Sequence, residues 1–420
     1  MMKKIKQTVK RFFNSNYLFR NLFNNIQDTR RKLYYKKIYQ TIPVDEKLVI
    51  FEAFLGKQYA CSPKAIYEAM RRSPQYDDFQ FVWVFRQDNV KRKILGDERT
   101  MVVKYNSRKY YRMYARAKYW VTNWRLSSAL IKKENQVCIQ TWHGTPLKKI
   151  GMDLNIEGNA TTSQKKGHKM YLNDAKNYDY FVSPSAFCTE VFASAFGLNI
   201  LNKKNILIET GYPRNDFLYR YTADDIKTIK NELGISENEK VILYAPTWRD
   251  NQHQLGVGYT FDMASHINKF LEKAVKDYVV ILRLHYLVAN KLDVSPYNGR
   301  VLDCSRLDDI NQLYVISDML ITDYSSVFFD YANLKRPIIF YMYDLEEYES
   351  SVRDFYIDLD ELPGPIIETE GELIKLVENP DVWVGNYRNK YNAFNQKYTY
   401  LDDENAGLRV AERCIKQDGK

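Results

Sequence analysis

Along residues 48–182, short apolar runs bounded by turn residues alternate with stretches whose apolar side chains recur every three or four positions. Continuous short runs are the pattern of strands buried on both faces, and the three-to-four spacing is that of helices packed against them. Strands are predicted at 48–54, 79–85, 101–104, 119–122, 137–141 and 180–182, with helices at 63–72 and 108–117. A second series opens with a strand at 206–209 and continues through strands at 241–244, 279–284, 319–321 and 338–341. Helices at 223–233, 263–275, 308–316 and 326–333 alternate with them, the last containing Val327, Phe328 and Phe329, which are weak helix formers. Such alternation predicts parallel, doubly wound sheets. The fold class read here is α/β, with two Rossmann-like domains over 46–205 and 206–400. A segment over 1–45 precedes them, and a helix or tail over 401–420 closes the chain.

At 420 residues the chain is too long for one ordinary core, and 45% apolar residues suffice to fill two. Five scattered cysteines, with no C-x-x-C pair, form neither a disulfide framework nor a zinc site, which fits a reducing cytosol. No apolar stretch approaches the roughly 18 residues of a membrane span, and no apolar run follows the basic N-terminus as in a secretory signal.

The net charge of +10 changes the picture because it is uneven. Residues 1–40 hold 11 Lys and Arg against one Asp; residues 41–200 hold 25 against 15 acidic residues; residues 201–420 hold 26 against 36. In the first segment Ile5, Val9, Phe12, Phe13, Phe19, Leu22 and Phe23 recur at helical steps among Lys3, Lys4, Lys6, Lys10, Arg11 and Arg20. That is the pattern of a helix in the headgroup plane of an anionic membrane, where each basic residue contributes about 1 kcal/mol. The alternative is a helix packing its aromatic stripe on the protein's own core. A nucleic-acid tail would not need so many phenylalanines, so no nucleic-acid partner is expected. The expected location is peripheral, on the cytoplasmic face of the cell membrane.

Two segments carry candidate chemistry. Thr141-Trp142-His143-Gly144-Thr145-Pro146-Leu147-Lys148 follows the apolar run 137–140 and sets a histidine at a strand end, beside a glycine that admits close approach. Thr322-Asp323-Tyr324-Ser325-Ser326-Val327-Phe328-Phe329-Asp330-Tyr331 follows the run 319–321 and sets two serines at a helix start, where free N–H groups favour a phosphate. One segment suggests a base and the other an anion site.

Together these segments resemble the CDP-glycerol glycerophosphotransferase family, whose enzymes build teichoic acids and related polyol-phosphate polymers. The resemblance extends, in the same order, to Phe51-Glu52-Ala53-Phe54-Leu55-Gly56-Lys57, Gly211-Tyr212-Pro213-Arg214-Asn215-Asp216, Tyr244-Ala245-Pro246-Thr247-Trp248-Arg249, Arg283-Leu284-His285 and Lys335-Arg336-Pro337. It implies a glycosyltransferase B arrangement, two facing α/β domains with the active site in the cleft. It also implies the reaction: an acceptor hydroxyl attacks the β-phosphorus of CDP-glycerol or CDP-ribitol and CMP departs.

An alcohol needs a base, and His143 is the candidate by its match to the family's His-Gly-Thr-Pro motif. The competing reading is a hydrogen-bonded structural histidine. Strand alternation turns Arg283 and His285 to one side, where both could face a phosphate; His285 is assigned to the donor pyrophosphate and Arg283 to its support, against a merely solvated arginine. Ser325 and Ser326 are assigned to phosphate oxygens, against an ordinary helix cap. Asp330, one turn after Ser326, is assigned to ribose hydroxyls, and Asp323 to orienting its loop. Thr247 and Arg249 match a Thr-x-Trp-Arg word, and Arg249 would neutralise charge on the departing CMP. Gly211 and Pro213 shape the junction, where Arg214 is a candidate diphosphate contact.

No Asp-x-Asp after a strand, H-E-x-x-H or Cys/His cluster is present, so no metal and no cofactor are expected. Basic clusters such as Lys91-Arg92-Lys93, Lys132-Lys133, Lys148-Lys149 and Lys165-Lys166 would attract a polyanionic or lipid-linked polyol-phosphate or glycan acceptor. Glycerol and ribitol donors, primase and polymerase, and wall polymer and capsule all stay open at this point, as does oligomeric state. Two other function classes also stand: a nucleotide-sugar glycosyltransferase of the same fold, and a non-catalytic membrane-surface binding module.

Overall fold

The computed structural model describes residues 17–86, 97–154, 164–247, 253–254, 258–259, 264–284, 294–346 and 355–416. Helix α1 (Tyr17–Ile38) leads into a sheet built from β1 (Asp45–Glu52), α2 (Cys61–Arg72), β2 (Gln80–Phe85), β3 (Thr100–Lys104), α3 (Arg108–Arg116), β4 (Ala117–Thr122), β5 (Val137–Gln140), α4 (Gln164–Ala175), β6 (Tyr180–Ser183), α5 (Ala186–Ala195) and β7 (Leu207–Glu209). Its seven strands are all parallel, in the order β3-β2-β1-β4-β5-β6-β7. Successive side chains of β1 divide between the two faces: Leu48 and Ile50 join a core with Tyr110 and Trp120, while Val49 and Phe51 join one with Tyr67 and Trp83. The two-residue period of a strand requires that division, and helices on both faces explain why the run is apolar throughout.

The second sheet follows from α6 (Ala223–Glu232), β8 (Lys240–Tyr244), α7 (Ala264–Ala274), β9 (Tyr278–Leu282), β10 (Val301–Asp303), α8 (Asn311–Ile316), β11 (Met319–Thr322), α9 (Val327–Tyr331), β12 (Ile338–Tyr341) and β13 (Ile366–Ile367). These strands are also parallel, in the order β10-β9-β8-β11-β12-β13. In each sheet the order reverses beside its first strand, between β1 and β4 and between β8 and β11. A crevice forms outside the carboxyl ends of the strands at such a reversal, and ligands of open α/β sheets bind there. The molecule is therefore a pair of Rossmann-like domains of the glycosyltransferase B type, as the sequence predicts.

Several expected boundaries move. The strand expected at 206–209 to open the second series instead closes the first, because β7 pairs with β6 through Phe181 and Leu207. The helix expected at 326–333 is α-helical only over α9, then tightens into a 3-10 turn at Ala332–Leu334. Its β-branched and aromatic residues account for the short run.

The chain ends with α10 (Glu370–Glu378), α11 (Arg388–Tyr398) and α12 (Ala406–Cys414). Helix α12 returns to the first domain, where Val410 and Ala411 enter the core beside Ile66. At Gly407 a Cβ would meet the Ala65 carbonyl oxygen at 3.0 Å, so the α2–α12 contact depends on that glycine.

The N-terminal segment expected at 1–45 to touch a membrane divides in two. Tyr35 is fully buried in the first-domain core, with Tyr34, Ile38, Tyr39 and Ile42 packed around it and rings of Tyr34 and Tyr35 against Tyr111. The end of α1 thus belongs to the domain. Residues 1–16, which carry Ile5, Val9, Phe12 and Phe13, lie outside the described residues. Among the described residues no helix is long and apolar enough to cross a membrane.

Candidate active site

Strand β5 ends at Gln140, and two residues later Trp142 takes a left-handed backbone, φ 51°. A bulky residue there carries strain of about 1–3 kcal/mol, which persists only where the surroundings hold it. That turn delivers His143 to the carboxyl end of the sheet. The imidazole is stacked on Trp124, ring centres 4.7 Å apart, and packed against Trp142 at 3.9 Å, with the Phe54 ring edge-on at 5.7 Å.

His143 Nδ1 lies 2.8 Å from the main-chain oxygen of Asn123. A carbonyl oxygen only accepts, so Nδ1 carries the proton and Nε2 keeps its lone pair. Nε2 has no hydrogen-bond partner among the described residues. Burial lowers the imidazole pKa to about 4, opposed by the Asn123 bond and assisted by the nearby Arg214 charge. The ring is therefore neutral near pH 7, in the tautomer that accepts a proton at Nε2.

The ring lines a cleft of about 180 Å³ between the domains, together with Phe54, Gln58, Arg283, Asn311 and Ser326. Gly144 brings the two walls together: a Cβ built on it would lie 3.0 Å from Ser326 Oγ. Ser326 starts α9 without a side-chain capping bond, so its hydroxyl is not spent on the helix. Arg283 enters from the end of β9 and donates from Nη1 to the Cys304 carbonyl oxygen at 2.7 Å. It forms no ion pair among the described residues, and burial lowers its pKa. Asp309 and Asp308 line the same cleft and partly offset the effect of burial, but a partly desolvated guanidinium outside any ion pair can still attract an anion there.

Two expected ligand contacts are already engaged. Arg214 Nη2 contacts both Asp330 oxygens, at 2.6 and 2.5 Å, and its Nη1 donates to the His143 carbonyl oxygen. The pair is almost fully buried; burial lowers the Arg214 pKa, but the Asp330 carboxylate more than offsets this and raises it. Both residues line the cleft, so Asp330, assigned to ribose hydroxyls, and Arg214, a candidate diphosphate contact, would meet a ligand as an ion pair. Each neutralises the other, because a lone charge at that depth would cost several kcal/mol. The pair instead ties the His143 loop of the first domain to α9 of the second.

The other candidates stand around this centre. Asp323 is buried and accepts from the Thr247 backbone N–H at 2.7 Å, holding the loop after β8 as expected of an orienting residue. Thr247 and Ser325 do not line the cleft, whereas Ser326 does. Gly211 sits away from the cleft with φ 78°, and a Cβ there would clash with the Leu401 carbonyl, so its need is conformational rather than phosphate contact. His285 and Arg249 lie outside the described residues.

Sequence reasoning passed over Asn123 and Trp124, which hold the imidazole, and gave no role to Phe54 within the Phe51-to-Lys57 segment. The signal for Asn123 and Trp124 was position: they follow β4, which with β1 flanks the order reversal of the first sheet. It also passed over Lys64, which reaches from α2 across the domain boundary to Asp309 at 2.6 Å. Among the described residues no cluster of His, Cys, Asp or Glu is arranged to hold a metal.

Beyond the histidine loop the chain leans on the second domain. Leu147 joins that domain's core, and its carbonyl accepts from the Tyr356 N–H at 2.8 Å while the Tyr356 hydroxyl donates to Asp153 at 2.6 Å.

Known proteins share this architecture and its sequence. The chain is 40% identical over 383 residues to a teichoic acid poly(glycerol phosphate) polymerase of Bacillus subtilis (strain 168), covering 90% of this chain and 50% of that one. It thus spans about half the length of that relative. It is 38% identical over 410 residues to a teichoic acid glycerol-phosphate transferase of Staphylococcus aureus (strain NCTC 8325), covering 93% of this chain and all of the other. The solved structure of the wall teichoic acid polymerase TagF superposes with a TM-score of 0.83 at 35% identity, over 99% of this chain and 97% of that one. Residues 34–416, both domains and every described wall of the cleft, match the model of one family, and the chain belongs to it: the CDP-glycerol:poly(glycerophosphate) glycerophosphotransferases.

Proposed function

We propose that the chain transfers a polyol phosphate, glycerol phosphate or ribitol phosphate, from a CDP-polyol to a hydroxyl of a teichoic-acid-like acceptor. The acceptor O–H proton passes to His143 Nε2 as the oxygen attacks the β-phosphorus. The bond between that phosphorus and the bridging oxygen breaks, CMP leaves with the bridging oxygen, and a phosphodiester forms. Arg283 faces the diphosphate and offsets its charge, and Ser326 offers a hydroxyl to a phosphate oxygen. Ser325, Thr247, Arg249 and His285 complete the donor side of the proposal.

One observation carries the reading: a tautomer-fixed imidazole shares a single cleft with the half-buried Arg283 guanidinium, which forms no ion pair among the described residues although Asp308 and Asp309 line the same cleft. Family membership supports the donor class, and one solved structure of TagF is of a His-to-Asn variant soaked with CDPG. The test is CMP release from CDP-glycerol and CDP-ribitol in the presence of a lipid-linked polyol-phosphate acceptor, set against a panel of nucleotide sugars. Release from neither CDP-polyol would refute the proposal, and turnover of a nucleotide sugar would favour the glycosyltransferase alternative.

The acceptor side extends to a membrane. Residues 1–40 carry a net charge of +10, and Ile26 and Leu33, seven positions apart on α1, are 44% and 64% exposed. They support a peripheral contact with an anionic leaflet, on the cytoplasmic side of the membrane. Sedimentation with vesicles containing anionic lipid, but not with neutral ones, is the expected result; equal binding to both would contradict it.

A further inference from the structure

The imidazole's setting is assembled from two separate loops, one after β4 and one after β5. Asn123 and Trp124 belong to the first, and Trp142 and His143 to the second. Besides the imidazole and tryptophan rings themselves, the side chain of Gln140 joins them. Gln140, the last residue of β5 and fully buried, donates from Nε2 to the Trp124 carbonyl oxygen at 3.1 Å and accepts at Oε1 from the Trp142 N–H at 2.9 Å. The two partners fix which end of the amide is which, because a carbonyl only accepts and a backbone N–H only donates.

We propose that Gln140 is a positioning residue for the transfer reaction: its amide sets the spacing between the two loops and so fixes the direction and tautomer of His143. The inference rests on the reading of His143 as the base. Gln140 does not line the cleft, so it acts only through the histidine. A primary amide is the one neutral side chain of this length that donates and accepts at once, and both functions are used. Glutamate keeps the acceptor for Trp142 but turns a second acceptor toward the Trp124 carbonyl. Leucine keeps the bulk and neither bond. Once the bond to Oε1 is lost, the Trp142 N–H has no other acceptor among the described residues to hold its left-handed turn, and the 2.8 Å contact between Nδ1 and Asn123 is weakened.

The experiment compares Gln140→Glu and Gln140→Leu in the full chain with the parent protein, using CDP-glycerol and a lipid-linked glycerol-phosphate acceptor. Folding is followed by circular dichroism. The expected result is folded protein in at least one variant, kcat reduced about 10- to 100-fold, and donor KM within about threefold. The acid limb of kcat/KM should also move from near pH 4 up toward the ordinary histidine value of about 6.5, since a loosened ring meets water. A merely structural glutamine would leave that limb in place. Turnover within twofold of the parent, a reduced kcat with an unmoved limb, or failure of both variants to fold would each overturn the proposal. His143→Ala run alongside separates the two ideas: if it stays active the base assignment falls and takes the Gln140 role with it, whereas an inactive His143→Ala beside unaffected Gln140 variants overturns the Gln140 role alone.

Discussion

Arg214 Nη2 sits 2.5 and 2.6 Å from the two carboxylate oxygens of Asp330, and the same guanidinium holds the main-chain oxygen of His143. One buried ion pair thus links the candidate base to the domain assigned to the donor. Removing either partner leaves the other charged in a site closed to water. Asp330→Asn and Arg214→Met should each cost about 3–5 kcal/mol in urea unfolding. The double variant Arg214→Met with Asp330→Leu should cost less than the two single changes together, because no lone charge remains. Additive losses would show that the pair is not a unit.

Arg283 differs from Arg214 in forming no ion pair among the described residues, its guanidinium bonding the Cys304 carbonyl with Asp308 and Asp309 in the same cleft. Arg283→Gln should weaken donor binding about 10- to 100-fold, the roughly 1.5–3 kcal/mol of a hydrogen bond to a charged group. Its melting temperature should change little, since Arg283 is half-buried and forms no ion pair among the described residues. Calorimetric titration with CDP-glycerol and thermal unfolding measure the two effects on one sample. Unchanged donor affinity would remove Arg283 from the site.

Gly144 lets the first domain approach Ser326. Alanine needs a shift of a few tenths of an ångström, and valine cannot be fitted without parting the walls. Gly144→Val should therefore lose more than tenfold in kcat while remaining folded, and Gly144→Ala should lose less. Equal activity of the two would mean that this closeness does not matter for transfer.

Glu52, at the end of β1, is fully buried with its carboxylate accepting from the Tyr114 hydroxyl at 2.9 Å. Burial pushes its pKa up to about 7, against bonds from Tyr114 and Tyr110 and the Arg86 charge. The folded state therefore holds a proton that the unfolded state releases near 4.5. This contribution to stability is complete below about pH 4.5 and is lost as pH rises through about 7, a change of roughly 3 kcal/mol. Glu52→Gln should match the parent protein in unfolding at pH 4.5 and exceed it at pH 8.5. A constant difference between them across that range would contradict the assignment.

The sheet architecture was legible because strands buried on both faces read as unbroken apolar runs, as at Val241 to Tyr244 and Val279 to Leu282. The sheet to which 206–209 belongs was not, since nothing local tells Leu207 that its partner is Phe181 rather than a strand of the next domain. The site divided along the same line. His143, Ser326 and Arg283 were visible because their residue types announce chemistry at strand ends. Asp330 and Arg214 were found as site residues, but their pairing was not, because it is set by packing across 116 positions of chain. Asn123 escaped altogether: its contribution to the histidine is a main-chain oxygen, which every residue has.

The most direct test is CMP release from CDP-glycerol, with a lipid-linked acceptor, by the parent protein and by His143→Ala shown to be folded. Loss of the base should lower turnover by about 10²- to 10⁴-fold with little change in donor affinity. A folded His143→Ala protein that releases CMP within a few-fold of the parent rate would contradict the account.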